Sequence, residues 1–218
     1  MDSILYHKFA EKYNVSRETF LQLTEYVELL QKWQKKINLV SPTTIENAWE
    51  RHIEDSLQLL PYVSREASAV IDLGSGAGLP GIPVAITTKL PVWLIESDRK
   101  KCSFLEESAR ICGLQNAKII CERIEKAVVD ISNINTEKKE IIITARALAE
   151  LTELFGLINH LCVNNKLGPC KLLLPKGQSA DKELEQAKLK WDFDFEKFSS
   201  VTDSRASILL IKNLRRKQ

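Results

Sequence analysis

Five short apolar runs separated by segments of helical length constrain this chain more than any other feature of it. AVIDL (69–73), PVWLIE (91–96), AKIIC (117–121), EIIITA (140–145) and KLLLP (171–175) are nearly continuously apolar, as strands are when helices cover both faces of a parallel sheet. Arg99 to Cys112 and Ala149 to Leu161 lie between them and have helical length and spacing. Such alternation predicts a doubly wound α/β sheet with right-handed crossovers. FDFEKFS (193–199) and SILLIK (207–212), joined by the polar VTDSRA, read as a terminal antiparallel hairpin that brings the sheet to seven strands.

The first sixty or so residues follow a different period. Phe20, Leu23, Val27, Leu30, Trp33 and Ile37 recur in steps of three and four, one face of an amphipathic helix with Ser16 as its N-cap. A second helix is expected from about Ile45 to Leu60, with Pro42 near its start and Pro61 stopping it. At 218 residues the chain therefore divides into a helical appendage, residues 1–65, and one α/β domain, residues 66–218.

Composition excludes several classes. A hydrophobic share of 44% and a charged share of 28% are those of a globular protein, and no apolar run reaches membrane-spanning length. The start, MDSILYHKFAEKYN, lacks the basic segment and apolar stretch of a secretory signal, so a cytoplasmic location is expected. The five cysteines form no C-x-x-C pair and the three histidines are scattered, which points to neither a disulfide framework nor a metal site. Net charge is only +2, so any contact with nucleic acid must use a local patch.

The stretch VIDLGSGAGLPGIP (70–83) marks a ligand site. Asp72 ends the first strand, Gly74, Gly76 and Gly78 let the backbone turn sharply and approach a ligand, and Pro80 to Lys89 can form a helix. The dinucleotide fingerprint is G-x-G-x-x-G, but here Leu79 stands where its third glycine falls. Pro80 and Pro83 also remove two amides that a pyrophosphate would use. Both departures favour S-adenosylmethionine, which has no phosphate, over NAD. Glu96 ends the second strand 22 positions after Gly74; it is either a solvated strand-end acid or the carboxylate that accepts the hydroxyls of an adenosine ribose.

NLVSPTTIENAWERHIEDSL (38–57), DLGSGAGLPGIP (72–83), ITARALAEL (143–151) and LLLPKGQ (172–178) resemble, in order and from about residue 20 to the end, the bacterial RsmG (GidB) family. The resemblance implies a class I S-adenosylmethionine-dependent methyltransferase that methylates guanine N7 in small-subunit ribosomal RNA; a monomer that needs no metal is the accompanying expectation. The resemblance also implies that Gly74, Leu79, Ile124, Glu125 and Arg146 line the cofactor. Ile124 offers an apolar face to adenine and Glu125 a polar edge. Arg146 follows the fourth strand at the carboxyl edge of the sheet, where it either closes the pocket or pairs with an acid such as Asp55.

Three groups of residues are candidates for the RNA side. Arg51, His52, Asp55 and Ser56 are spaced by three and four, so Arg51 and His52 would each share a helix face with Asp55. Arg99, Lys100 and Lys101 open a helix, where cations oppose the macrodipole and RNA phosphate could offset them. Lys176 ends the fifth strand. The chemistry needs no general base: guanine N7 carries a free lone pair, and TARAL (144–148) lacks the D/N-P-P-Y/F turn that holds an exocyclic amine. Carbon-5 cytosine methylation, which needs a cysteine nucleophile, finds only Pro169-Cys170, at the start of a strand rather than its end.

Overall fold

The computed structural model describes residues 3–131 and 140–218 of the chain. Its centre is a seven-stranded sheet built from β1 (Ala67–Leu73), β2 (Val92–Glu96), β3 (Ala117–Cys121), β4 (Glu140–Ala145), β5 (Cys170–Lys176), β6 (Trp191–Ser199) and β7 (Ser207–Arg216), in the order β3-β2-β1-β4-β5-β7-β6. The first five strands are parallel, and β7 runs antiparallel between β5 and β6. The strand order reverses between β1 and β4, which makes a crevice at the carboxyl ends of these strands the expected ligand position. In register, Leu73 lies beside both Ile95 and Ala145, so β1, β2 and β4 end near one level.

Strand residues alternate between two cores. Val92, Leu94 and Ile142 point to the face covered by α2 (Arg17–Gln34), α4 (Gly81–Thr87) and α5 (Arg99–Ile111). Trp93, Ile95, Ile141 and Ile143 point to the other, covered by α6 (Leu151–Asn164) and α7 (Ala180–Lys188). Every residue of β1 is buried, which explains why its sequence shows no polar alternation.

The appendage begins with α1 (Ser3–Tyr13) and α2. Ser16 caps α2, its hydroxyl accepting the Thr19 amide at 3.1 Å. Phe20, Leu23, Val27 and Leu30 are buried as their spacing predicts, in one core with Ile82, Leu94 and Phe104 of the sheet unit. The Tyr26 hydroxyl donates to the Ala77 carbonyl at 2.6 Å, tying α2 to the glycine loop.

The expected helix from Ile45 to Leu60 is not continuous. Residues 41–47 turn instead, with the Thr44 hydroxyl donating to the Ser41 carbonyl at 2.8 Å. Local hydroxyl-to-backbone bonds of this kind compete with a helical start. Helical structure begins near Trp49 as a π-helical turn, Trp49–Glu54, followed by one α-helical turn, α3 (Asp55–Leu57), and a 3₁₀ turn, Leu60–Tyr62. The wider π turn, a form frequent at functional sites, buries His52, Ile53 and Glu54.

Candidate active site

The loop after β1 is held from both sides. Gly74 and Gly76 have φ of +61° and +56°, a region that costs a residue with a side chain about 1 kcal/mol or more. A Cβ on Gly74 would also lie 2.5 Å from Leu148 Cδ1, whereas on Gly76 it would meet only open space and the Gly74 carbonyl at 3.8 Å. The Glu96 carboxylate accepts the amides of Gly76 (2.8 Å), Ser97 (2.7 Å) and Asp98 (2.8 Å). Glu96 is thus not a solvated strand-end acid. It is buried and fastens the end of β2 to the glycine loop, leaving lone-pair capacity on the oxygen that holds Gly76.

The start of α4 offers nothing to a pyrophosphate. Pro80 and Pro83 have no amide hydrogen, the Gly81 amide donates to Asp72 Oδ2 at 3.3 Å, and the Ile82 amide donates to the Gly78 carbonyl at 2.6 Å. Asp72 itself is fully buried, and its other oxygen has no hydrogen-bond partner among the described residues. Burial pushes its carboxyl up to about 7, against the opposing pull of Ser75 and the Gly81 amide. The sequence marked Asp72 only as a strand end; an acid set inside VIDLG was the available signal.

Raising this carboxyl has a defined sign. The folded protein holds the Asp72 proton over a pH range in which the unfolded chain, titrating near 4, has already lost it, so stability falls as pH rises from about 4 to about 7. Asp72→Asn removes the contribution. The stability of the variant relative to the parent should increase between pH ~5 and ~8, as read by paired thermal melts; a constant difference would contradict a buried, titrating Asp72.

Two cavities meet over the glycine loop. One, of about 430 Å³, is bounded by Gly74, Gly76, Leu79, His52 and Arg146. The other, of about 420 Å³, is bounded by Gly74, Glu96, Ile124 and Glu125. Both include Lys101 and Ala147, so all seven residues expected at the cofactor lie on this pair of cavities. Ile124 is nearly buried, and Glu125 pairs with Arg123 at 3.3 Å.

Arg146 both lines the pocket and forms the ion pair. Its Nε lies 3.2 Å from Asp55 Oδ2, and its Nη2 donates to the Arg51 carbonyl at 3.1 Å and to His52 Nδ1 at 3.3 Å. Burial, followed by Arg146 and Arg51, pushes His52 down to about 4. A neutral imidazole can accept from the guanidinium at Nδ1 only if Nε2 carries the proton, and Nε2 sits 3.0 Å from the Thr44 hydroxyl. The appendage therefore holds the arginine of the fourth strand in place.

The residues grouped for the RNA side separate in three dimensions. His52 faces the 430 Å³ cavity over the glycine loop, while Arg51 and Asp55 line a third cavity, of about 490 Å³, on the other side of Arg146. There Asp55 accepts from Thr202 at 2.7 Å, Gln58 Oε1 accepts the Val201 amide at 2.9 Å, and Arg51 donates to the Thr202 carbonyl at 3.3 Å. These bonds join the appendage to the β6–β7 loop, which the sequence showed only as a polar connector. Lys176 is not available to phosphate: it is nearly buried, 2.8 Å from Glu183 and donating to the Ala149 carbonyl at 2.7 Å. Glu183 lies on α7, a helix too polar in sequence to be read.

The Arg99-Lys100-Lys101 run is also organised differently. The acid that offsets these cations at the helix end is Asp98, whose side chain accepts the amides of Lys100 (2.8 Å) and Lys101 (3.3 Å). Arg99 and Lys100 are exposed, and none of the three cations forms an ion pair among the described residues, while Lys101 lines both cavities over the glycine loop.

Residues 20–211 match the sequence profile of the family described as rRNA small subunit methyltransferase G. The chain is 41% identical over 200 residues to ribosomal RNA small subunit methyltransferase G of Rickettsia akari, covering 92% of this chain and 97% of that one. It is 42% identical over the same length to the protein of that name from Orientia tsutsugamushi, covering 92% and 93%. Among solved structures, a mutant of MtNAS in complex with S-adenosylmethionine superposes with a TM-score of 0.56 at 14% identity, covering 90% of this chain and 76% of that one. A SAM dependent methyltransferase from Aquifex aeolicus does so with 0.53 at 14%, covering 79% and 98%; these two likenesses concern the fold.

Proposed function

The chain belongs to the rRNA small subunit methyltransferase G family, and on that premise we propose that it moves a methyl group from S-adenosylmethionine to N7 of a guanine in small-subunit (16S) ribosomal RNA. The observation that carries the cofactor assignment is the start of α4, where every amide that could cradle a pyrophosphate is either missing or used internally. Gly74, Gly76 and Leu79 would hold the cofactor's amino acid side and Ile124, Glu125 and Glu96 its adenosine, the last through the lone pairs left on its carboxylate. Titration of S-adenosylmethionine and of NADH into the protein tests this: binding of the first alone is expected, and binding of NADH alone would overturn the reading.

The transfer is a direct displacement. The N7 lone pair attacks the methyl carbon in line with the C–S bond, the bonding electrons pass to sulfur, and the positive charge moves from the sulfonium to the purine. No proton has to leave N7. His52, the histidine on these cavity walls, has its Nδ1 lone pair engaged by Arg146 and its Nε2 beside the Thr44 hydroxyl, leaving no free lone pair to take a proton, which supports a mechanism without a base. Catalysis then rests on holding the reacting atoms about 3–3.5 Å apart and on the polar walls around the transferred charge.

Cys170 supports the same choice against carbon-5 cytosine methylation. It opens β5, 3.6 Å from the Cys162 sulfur, on a separate cavity that contains none of the residues above. Cys170→Ser should keep methyl transfer within about threefold of the parent, a change too small to be the loss of a covalent nucleophile. Complete loss in a folded variant would contradict the N7 mechanism.

For the RNA we assign the exposed Arg51, Arg99 and Lys100 to phosphate, with residues 1–65 as a wall packed on the transferase unit 66–218. Among the described residues no helix is long and apolar enough to cross a membrane, and a monomer acting on ribosomal RNA in the cytoplasm fits this reading.

A further inference from the structure

The geometry points to Glu150 as the residue that identifies the acceptor base, a guanine whose N1–H and N2–H bonds meet its carboxylate. The inference rests on the methyl-transfer reading above and adds the base-reading residue to it. Its location is the 490 Å³ cavity beyond Arg146, which shares Arg146 and Ala147 with one cofactor cavity and Ala147 and Leu148 with the other. A base in this space would be next to a methyl group presented over the glycine loop. Ala147, at the shared wall, has φ of +53°, an uncommon conformation for a residue with a side chain and one that clusters at ligand sites.

Four carboxylates line the cavity, and three are committed. Asp55 holds Arg146, Gln58 and Thr202. Glu183 holds Lys176, Ser179 and the Leu151 amide. Asp203 holds the Arg205 backbone amide and guanidinium. Only the Glu150 side chain, of these four, has no hydrogen bond or ion pair among the described residues, its backbone carbonyl accepting the Leu154 amide at 2.9 Å. It precedes α6 in the cap position, exposed and without a side-chain cap bond, so its carboxylate is open to a ligand in the cavity.

The chemistry of the bases selects guanine for such a group. Its pairing edge presents two adjacent N–H donors, N1–H and N2–H, which a carboxylate accepts together. Adenine places an acceptor at N1, and cytosine and uracil set an acceptor beside each donor, so a carboxylate meets repulsion. An unstacked base in a pocket is read on this edge. Guanine N7 lies on the opposite edge of the ring. With the pairing edge on Glu150, which borders neither cofactor cavity, N7 faces the Arg146–Ala147 wall, where the sulfonium is expected.

The test is Glu150→Gln in the full-length protein, with small-subunit rRNA carrying either guanine or hypoxanthine, which lacks the 2-amino group, at the methylated position. For guanine RNA, kcat/KM should fall about 10- to 100-fold, with S-adenosylmethionine affinity and melting temperature unchanged. Hypoxanthine should cost the parent about tenfold and the variant little, because the lost contacts are the same ones. The assignment is overturned if the variant methylates guanine RNA at the parental rate, or if both proteins lose equally on hypoxanthine. A parent protein inert on both RNAs while it binds S-adenosylmethionine would instead overturn the methyl-acceptor reading, and the base assignment with it.

Discussion

Arg146→Ala should lower kcat/KM for methyl transfer by about two orders of magnitude or more, weaken S-adenosylmethionine binding, and destabilise the fold by roughly 2–4 kcal/mol. One guanidinium serves Asp55, the Arg51 carbonyl and His52 Nδ1, so its removal leaves a mostly buried carboxylate without its ion pair and opens the wall between the cofactor cavity and its neighbour. Asp55 keeps Gln58 and Thr202, which limits the loss of stability but does not restore the wall. Arg146→Lys should recover part of the stability and little of the activity, since an ammonium is a point charge and cannot span three partners in one plane. Calorimetric binding, melting curves and single-turnover rates on the two variants check the account; parental activity in Arg146→Ala would contradict the placement of the site.

The second large effect is expected at Glu96. Its carboxylate is the common acceptor for three amides, at Gly76, Ser97 and Asp98, and it fixes the glycine loop relative to β2. Glu96→Ala should cost about 1–3 kcal/mol, held to that range because Ser97 and Asp98 are exposed and water can reach them. S-adenosylmethionine affinity should fall further, by about 100-fold or more, because the variant loses both the loop position and a group for the ribose. Glu96→Gln keeps one carbonyl oxygen and should fall between the two. Retained affinity in Glu96→Ala, measured by titration, would remove the loop-fastening role.

What the sequence revealed and what it hid follow from the range of the interactions. The parallel strands were legible because burial on both faces makes the central ones nearly continuous apolar runs, and both the half-exposed edge strand Ala117–Cys121 and the buried Glu140–Ala145 match their expected bounds. The amphipathic face of α2 was legible because Phe20, Leu23, Val27 and Leu30 meet one core. The segment from Ile45 onward was not, since the Ser41–Thr44 turn and the π turn at Trp49–Glu54 depend on local hydroxyl bonds and on what His52 is buried against. At the site, the glycines and Glu96 were visible as local pattern. The Arg146–Asp55 pair spans the whole sheet topology, and spacing could raise it only as one option among two. Lys176 was misjudged for a similar reason: its partner Glu183 sits on a helix with Ala180, Leu184 and Ala187 as its buried residues, too weak a stripe to announce a neighbour.

The central claim, methylation of guanine N7 in small-subunit rRNA by this chain, is tested most directly by mass spectrometry of that rRNA from cells with the gene, without it, and complemented with Arg146→Ala. The account predicts one 7-methylguanine present in the first, absent in the second, and not restored by the variant. Identical modification of the rRNA with and without the gene would contradict it.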